Sequence, residues 1–162
     1  MADMDEIYKN KIVTFLRAFY AAKYAKVDNM PCQIEPGLFL GSVGVAYNKD
    51  ALKNFNITHI LVVAKSLGSP YPDDFHYKKI EAKAAGGGVL VHCFAGRSRS
   101  VTIVLAYLMK NRNMSLSEAL GHVKSKRPQI APNEGFILQL QNFEKSLGAN
   151  RTKNLNVGDS SQ

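Results

Sequence analysis

Short apolar runs alternate with amphipathic segments along most of this chain. Two continuous runs rich in β-branched residues, His59–Ala64 and Val89–Cys93, predict strands buried on both faces of a parallel sheet. Gly37–Gly41 predicts a further short strand bounded by glycines, and His76–Ile80 predicts an edge strand. Apolar residues at helical spacing predict helices over Ile7–Lys26, Lys49–Asn54, Ser98–Asn111, from Ser115 to the stop at Pro128, and over Asn133–Leu147. We therefore expect an α/β fold with a mainly parallel central sheet flanked by helices.

The chain of 162 residues fits one main domain with additions at both ends. Residues 1–30 are expected to form a basic amphipathic helix and a connector, residues 31–147 the domain, and residues 148–162 a disordered tail rich in Gly, Asn and Ser. Ile12, Phe15, Leu16 and Phe19 share one face of the first helix. That helix is expected to pack on its own domain, and the alternative is calcium-dependent calmodulin binding or contact with a membrane surface through residues 7–26.

The formal net charge of +8 favours negatively charged partners, but the basic residues are scattered and form no nucleic-acid motif. Binding to nucleic acid is therefore not expected. Lys124–Arg127 is interpreted as the basic end of a helix rather than as a nuclear address. The sequence contains no apolar stretch typical of a membrane span, and its two cysteines are too few for a disulfide framework. These features predict a cytoplasmic protein, with the nucleus as an additional location, and Cys32 is expected to be an ordinary free thiol.

The run His92–Ser100 carries the most specific chemical signal. A buried strand delivers Cys93 to the carboxyl end of the sheet, where open α/β folds bind ligands, and a helix follows directly. The loop between them lies at a helix N-terminus, whose free N–H groups and positive dipole end attract an anion. Gly96 allows the backbone to bring its amides close to phosphate oxygens. The predicted phosphate-binding residues are Phe94, Ala95, Gly96, Arg97, Ser98 and Arg99.

Four side chains of this run have predicted roles. The positive field at the helix N-terminus lowers the pKa of a thiol, so Cys93 is expected to be a thiolate nucleophile. Arg99 can hold two phosphate oxygens as a bidentate fork. Ser100 either donates its hydroxyl to the departing sulfur or serves only as a helix N-terminal residue. His92 is expected to orient the loop by hydrogen bonding, and a purely structural role is the alternative.

The motif His92-Cys93-x-x-Gly96-x-x-Arg99-Ser100 resembles the active-site signature of protein tyrosine phosphatases. Its flanks resemble the dual-specificity branch of that family, particularly its small plant members. The flanking segments that carry the resemblance are Gly37–Ser42, Thr58–Leu61, Ala106–Met109 and Arg127–Phe136. The resemblance extends over about residues 34–147.

The resemblance implies a mechanism and a substrate class. Cys93 would attack phosphorus to form a phosphocysteine, Arg99 would bind phosphate, and Ser100 would assist breakdown of the intermediate. Asn133 would support the loop. The implied substrates are phosphotyrosine and phosphoserine/threonine in proteins, with MAP kinases as the usual targets of the branch. No metal or organic cofactor is implied.

The chain departs from the family just before the strand that carries Cys93. Members of the branch have a general-acid aspartate on a loop upstream, followed by a helix that leads into that strand. Here Tyr77–Ile80 resembles the strand before the loop, whereas Glu81–Gly87 resembles the end of the helix and the following turn. The junction between Ile80 and Glu81 is interpreted as an internal deletion that removes the acid. The nearby carboxylates that could replace it, none of them at the family's position, are Asp73, Asp74 and Glu81.

Geometry also indicates a shortened crossover before the catalytic strand. Only seven residues separate Ile80 from Gly88, whereas parallel crossovers usually take a dozen or more. Either the connection is extended and one face of the sheet loses its cover, or Phe75–Ala85 becomes helical and the edge strand is lost.

Loss of general acid catalysis typically costs about 10²- to 10⁴-fold in rate, while phosphate binding need not change. The sequence therefore predicts a phosphatase of reduced activity that favours phosphotyrosine. The alternatives are a catalytically impaired regulator that binds phosphoproteins and, with less support, sulfur transfer or arsenate reduction.

Overall fold

The computed structural model describes residues 8, 11, 12, 14, 15, 19, 22–24, 26–64, 67, 71, 73–77 and 87–157. A five-stranded sheet lies at its centre, in the order β1-β2-β5-β3-β4. The strands are β1 (Cys32–Glu35), β2 (Leu38–Gly41), β3 (Ile57–Val62), β4 (His76–Tyr77) and β5 (Gly88–His92). Only β1 is antiparallel to its neighbour, so the predicted mainly parallel sheet is confirmed. The sequence analysis missed β1, which joins β2 through a tight turn at Gly37, where φ is +77°.

Helices cover both faces of the sheet. They are α1 (Val43–Ala46), α2 (Lys49–Asn54), α3 (Arg99–Asn111), α4 (Leu116–Lys126) and α5 (Glu134–Val157). α1 and α2 pack on the face that presents Phe39, Ile60 and Leu90. α3, α4 and α5 pack on the opposite face, with Val89 and Val91 of β5 in the core. Alternate residues of β5 therefore enter two separate cores, as expected for a strand buried on both sides.

The predicted start of α4 agrees with the structure, whereas the predicted end of α5 does not. α4 begins with the capping box that the sequence indicates: the Ser115 hydroxyl accepts from the Glu118 N–H, and the Glu118 carboxylate accepts from the Ser115 N–H. α5 runs to Val157, so the prediction of a disordered tail from residue 148 is wrong for residues 148–157. A glycine inside a helix costs only about 1 kcal/mol, and a helix already anchored in the core by Leu140 can continue past Gly148. Residues 158–162 lie outside the described part.

The described residues between positions 8 and 27 are helical, as predicted. At the end of this segment the Tyr24 ring contacts that of Phe94, as expected for packing on its own domain, whereas three residues of its apolar face are largely exposed. Ile12, Phe15 and Phe19 are 54%, 70% and 58% exposed; Leu16 lies outside the described residues. Over the residues that the structure describes, no helix combines the length and apolar character needed to cross a membrane.

The connection from β4 to β5 is short, because ten residues separate Tyr77 from Gly88. The edge strand is present at His76 and Tyr77. These two residues are therefore not part of the alternative helix over Phe75–Ala85. The rest of the predicted edge strand and the junction at Ile80 lie outside the described residues.

An apolar groove lies on the face of the sheet that carries α3. The link from β2 to β3 runs over one face through α1 and α2. The step from β4 to β5 crosses the sheet in the opposite direction to the step from β2 to β3. If both links are right-handed, they lie over opposite faces, so a link from β4 to β5 is expected on the face that carries α3. There a cavity of about 70 Å³ is lined by Gly37, Leu38, Leu61, Val89, Val91, Ile103, Val104 and Tyr107. The groove therefore lies where a crossover helix would pack.

Candidate active site

The loop that follows β5 holds the candidate nucleophile. β5 ends at His92 and α3 begins at Arg99, so residues 93–98 join the carboxyl end of a central strand to a helix N-terminus. Cys93 is only 2% exposed. Gly96 has φ +62°, and a Cβ there would lie 2.4 Å from the carbonyl oxygen of Gly41. The loop is packed so closely on the end of β2 that this position requires glycine.

Hydrogen bonds from outside the loop orient its peptide planes. Four carbonyl oxygens accept them: Cys93 O from His92 Nδ1 at 3.3 Å, Phe94 O from Val43 N at 2.9 Å, Gly96 O from Arg127 Nε at 2.9 Å, and Arg97 O from Ala131 N at 2.7 Å. In a trans peptide the carbonyl and the following N–H point in opposite directions. Because these carbonyls are held outward, the next N–H groups are directed towards the interior of the loop. This is the arrangement that an anion-binding nest requires.

The same amides act on the thiol of Cys93. Burial raises its pKa, but the hydroxyl of Ser100 and the backbone N–H groups of Ser100, Gly96 and Arg97 outweigh burial. The net result is a pKa below the ordinary value for cysteine. Ser100 Oγ donates to Cys93 Sγ at 3.2 Å. Of the two roles that the sequence left open for Ser100, the structure therefore provides the contact with sulfur.

Arg99 and Ser98 lie at the start of α3. The side chain of Arg99 is exposed, and no described residue forms a hydrogen bond or ion pair with it. Its guanidinium is therefore free to bind a ligand at the mouth of the loop. Ser98 occupies the helix N-cap position without a capping side-chain bond.

Asn133 meets the loop through its backbone. Its N–H donates to Ser98 Oγ at 3.3 Å, while its side-chain oxygen accepts from the Phe136 N–H at 2.8 Å and caps α5. The predicted supporting residue thus contacts the loop, but its side chain serves the helix.

His92 is buried beneath the loop and 1% exposed. Burial lowers its pKa to about 4, so the ring is neutral at neutral pH. In the tautomer that donates from Nδ1 to the Cys93 carbonyl, Nε2 is an acceptor with no partner among the described residues. These contacts fit an orienting role rather than proton transfer.

Sequence reasoning missed Arg127 and Asp28. Arg127 was interpreted as part of a basic helix end and Asp28 as part of a connector, yet the Arg127 side chain is only 3% exposed and forks onto the Asp28 carboxylate. The same guanidinium reaches the loop at Gly96 O. The sequence separation of 99 residues explains why no local pattern revealed the pair. The available signal was Arg127 itself, at the start of a segment that carried the family resemblance.

Comparison with known proteins agrees with this geometry. The family model described as "Dual specificity phosphatase, catalytic domain" matches residues 77–146. Dual specificity protein phosphatase 1 of Arabidopsis thaliana is 50% identical, over 88% of this chain and 83% of the relative. Dual specificity protein phosphatase 1B of the same plant is 53% identical, over 73% of this chain and 84% of the relative.

The chain belongs to the dual specificity phosphatase family. Among solved structures, human DUSP28 is 31% identical with a TM-score of 0.68, over 73% of this chain and 95% of that one. The homology and the fold together make this chain a dual specificity protein phosphatase.

This dual specificity phosphatase is shorter than its plant relatives over the matched region. The first alignment runs over 165 residues, whereas 88% of the 162-residue chain is about 143. The second runs over 140 residues, whereas 73% of the chain is about 118. Each relative therefore has about 22 residues that this phosphatase lacks.

The described carboxylates near β4 are poor replacements for a general acid. Asp74 pairs with Lys49 at 2.6 Å and Lys53 at 3.2 Å, and its hydrogen bond to Lys49 lowers its pKa. A carboxylate held ionised by two lysines does not donate a proton readily at neutral pH.

Strand register places Asp73 and Asp74 far from the nucleophile. Both precede His76, which is level with His59 and, through it, with Val89. Along the strand direction, Cys93 lies four residues, or roughly 13 Å, beyond the level of His76. Across the sheet, the two strand spacings from β4 to β5 add about 10 Å to the separation. Glu81 lies outside the described residues.

The second cysteine, Cys32, lies away from the loop. Cys32 Sγ donates to the Lys126 carbonyl at 3.3 Å, and burial raises its pKa, which suits an unreactive thiol. Across the described ranges, no group of three His, Cys, Asp or Glu side chains is placed to hold a metal ion.

Proposed function

We propose that this phosphatase hydrolyses phosphotyrosine and phosphoserine/threonine in proteins through a phosphocysteine intermediate, with reduced turnover. The observation that carries the proposal is the buried thiol of Cys93, whose pKa is lowered inside a nest of amides at the N-terminus of α3. A thiolate at that position is both the nucleophile and a neighbour of the phosphate site.

The reaction takes two displacements at phosphorus. In the first, the Cys93 thiolate attacks, an S–P bond forms and the P–O ester bond breaks, while the loop amides and the Arg99 fork hold the non-bridging oxygens. The leaving oxygen departs with the electron pair and takes a proton from water. In the second, water attacks phosphorus and gives up a proton to solvent, an O–P bond forms as the S–P bond breaks, and inorganic phosphate is released while the Ser100 hydroxyl stabilises the sulfur as it becomes a thiolate again.

We infer reduced turnover because, among the described residues near β4, no carboxylate is placed to protonate the leaving oxygen. We place the missing residues of the plant relatives at the junction between Ile80 and Glu81. General acid catalysis typically contributes about 10²- to 10⁴-fold. A tyrosine leaving group, with a pKa near 10, needs protonation less than a more basic serine or threonine alkoxide, so phosphotyrosine should be the better substrate.

Phosphorylated proteins suit the formal charge of +8, which attracts anionic partners. One Dictyostelium relative is named "MAP kinase phosphatase with leucine-rich repeats protein 3", and we propose MAP kinases as substrates here. We propose a cytoplasmic location that extends to the nucleus. Calmodulin binding through residues 7–26 stays a prediction, and most of that segment lies outside the described residues.

The test is a rapid-mix assay with nitrophenyl phosphate. We expect a burst of one nitrophenolate per active site, followed by slow turnover. With substrate labelled in its phosphoryl group, the label should be trapped on Cys93. Cys93→Ser should abolish both burst and label, whereas the matched control Cys32→Ser should keep them. Absence of both label and turnover in the folded protein would overturn the proposal.

A second candidate function is a regulator that binds phosphoproteins without hydrolysing them. It is favoured by one observation: the exposed Arg99 guanidinium has no hydrogen-bond or ion-pair partner among the described residues. One structural neighbour is titled "human tyrosine phosphatase-like serine/threonine/tyrosine-interacting protein". Tight binding of a phosphotyrosine peptide without product release, abolished by Arg99→Ala, would support this role over the first.

A further inference from the structure

We propose that Asp28 and Arg127 are positioning residues of the phosphate loop. Asp28 holds the Arg127 guanidinium, Arg127 holds the Gly96 carbonyl outward, and the N–H of Arg97 is thereby aimed at the sulfur of Cys93. The effect on phosphate rests on the proposed function, whereas the effect on the thiol does not.

Arg127 joins the loop to its carboxylate partner by three hydrogen bonds. Its Nε donates to Gly96 O at 2.9 Å and its Nη1 to Asp28 Oδ1 at 3.1 Å, while Nη2 donates to Asp28 Oδ2. The bidentate pair fixes the plane of the guanidinium, and that plane fixes the direction of the Nε–H. The side chain has therefore no freedom to release Gly96 while Asp28 stays in place.

One peptide plane transmits this position to the nucleophile. The Gly96 carbonyl and the Arg97 N–H belong to the same planar trans unit and point in opposite directions. The Arg97 N–H is one of the donors that lower the pKa of Cys93. Without a donor on Gly96 O the plane can rotate about its flanking bonds, and the positive φ of Gly96 is no longer enforced.

Asp28 is itself fixed against the domain. Its N–H donates to the Tyr24 carbonyl at 2.8 Å, and its own carbonyl accepts from Ser42 Oγ at 2.9 Å. The Tyr24 ring meets the Phe94 ring edge-on at 5.6 Å between centroids. The segment before β1, which the sequence suggested was a connector, therefore contributes part of the support of the loop.

The direction in which the pKa of Cys93 changes when Asp28 is replaced distinguishes the positioning of the Arg97 N–H from the effect of the Asp28 charge. Removing the negative charge of Asp28 would, by electrostatics alone, favour the thiolate and lower the pKa. Loss of the aimed N–H would raise it. A purely structural ion pair would change stability and leave the pKa of the folded protein unchanged.

The experiment measures the pH dependence of Cys93 alkylation by iodoacetamide in the full chain, in a Cys32→Ser background so that one thiol reacts. Asp28→Asn and Arg127→Lys should each move the midpoint upward by about one pH unit, since a hydrogen bond to a charged group is worth about 1.5–3 kcal/mol. Loss of the same hydrogen-bond donor should also lower the affinity for vanadate about tenfold. The matched control is Glu35→Gln, which breaks the bidentate pair between Arg112 and Glu35 at the far end of α3 and should leave both values unchanged.

Removing one member of a buried pair leaves the other charge unpaired and can unfold the chain. The double variant Asp28→Leu/Arg127→Met replaces the pair with apolar side chains, so it keeps the volume while losing the bond to Gly96. It should show the same upward shift. An unchanged or lowered midpoint in the folded variants would overturn the proposal. Because alkylation requires no turnover, failure of the phosphatase assay would not be confused with this outcome.

Discussion

The two connections of β5 differ in length and in the part that each has in the chemistry of the family. After the strand, residues 93–98 form a six-residue loop whose carbonyls are fixed by bonds from α1, from the end of α4 and from the segment that follows it. Before the strand, ten residues separate Tyr77 from Gly88, and the described residues of the sheet and α3 line an apolar groove on one face. In the family, the first connection binds phosphate and the second supplies the general acid. Phosphate binding and proton transfer therefore belong to separate pieces of chain, so the phosphate loop can keep its geometry whatever the length of the other connection.

Restoring the second connection should give the largest effect. We propose to insert, between Ile80 and Glu81, the about 22 residues that an Arabidopsis relative has in excess, which by the family resemblance should bring the general-acid aspartate and the crossover helix. The turnover number should rise by about 10²- to 10⁴-fold, towards the upper end for a phosphoserine peptide and the lower end for a phosphotyrosine peptide. Steady-state assays with both peptides measure this.

The control for this insertion carries asparagine in place of the inserted aspartate. It should raise the melting temperature as much as the first insertion does, while leaving the turnover number low. Equal activity of the two insertions would mean that the crossover acts through stability alone.

The burial of His92 beneath the loop after β5 should make the free energy of unfolding depend on pH. Its pKa in the folded protein is about 4, below the unfolded value near 6.5, so the unfolded chain binds the extra proton first. Its contribution is complete above about pH 6.5 and is lost as pH falls to about 4, a change of about 3 kcal/mol in the free energy of unfolding. Urea denaturation of wild type and His92→Gln should show a difference that shrinks over this range and stays constant from pH 7.5 to 9. A difference independent of pH would place the ring in solvent.

The hydroxyl of Ser100 is expected to matter less than a general acid. Ser100→Ala removes one hydrogen bond to a charged sulfur, worth about 1.5–3 kcal/mol, so hydrolysis of the phosphocysteine should slow by about 10- to 100-fold. Because the same hydroxyl lowers the pKa of Cys93, the assay is run at a pH at which the thiol is ionised in both proteins, and there the burst should persist. Single-turnover kinetics separate the two phases, and Ser125→Ala, which removes an exposed hydroxyl of α4, provides the control. Equal slowing of both phases would contradict a role specific to the departing sulfur.

Local patterns predicted the parts of this molecule that are local. The apolar run of β5, the glycine at position 96 and the helix after Arg99 are contiguous, so the sequence alone placed Cys93 at a helix N-terminus. The bond from Ser100 to sulfur follows from the same short segment. The pair of Asp28 and Arg127 could not be found in this way, because 99 residues separate its members and each has an ordinary neighbourhood. The strand β1 was also missed, since Cys32–Glu35 has only four residues, too few for its alternation of apolar and polar positions to stand out.

The smallest effect is expected on the exposed side of the groove. Ile103 and Leu105 lie on the same helix, but Ile103 is 39% exposed at the groove and Leu105 is fully buried. Leu105→Ala should cost about 2–5 kcal/mol in the free energy of unfolding, whereas Ile103→Ala should cost less than about 1 kcal/mol because its side chain already meets water. Urea denaturation of both variants checks the ratio. In the chain with the restored crossover, the inserted helix should bury Ile103 and raise the cost of its substitution towards that of Leu105. If Ile103→Ala already costs as much as Leu105→Ala in the present chain, the groove is covered by the protein itself, and the two connections of β5 are more alike than their lengths suggest.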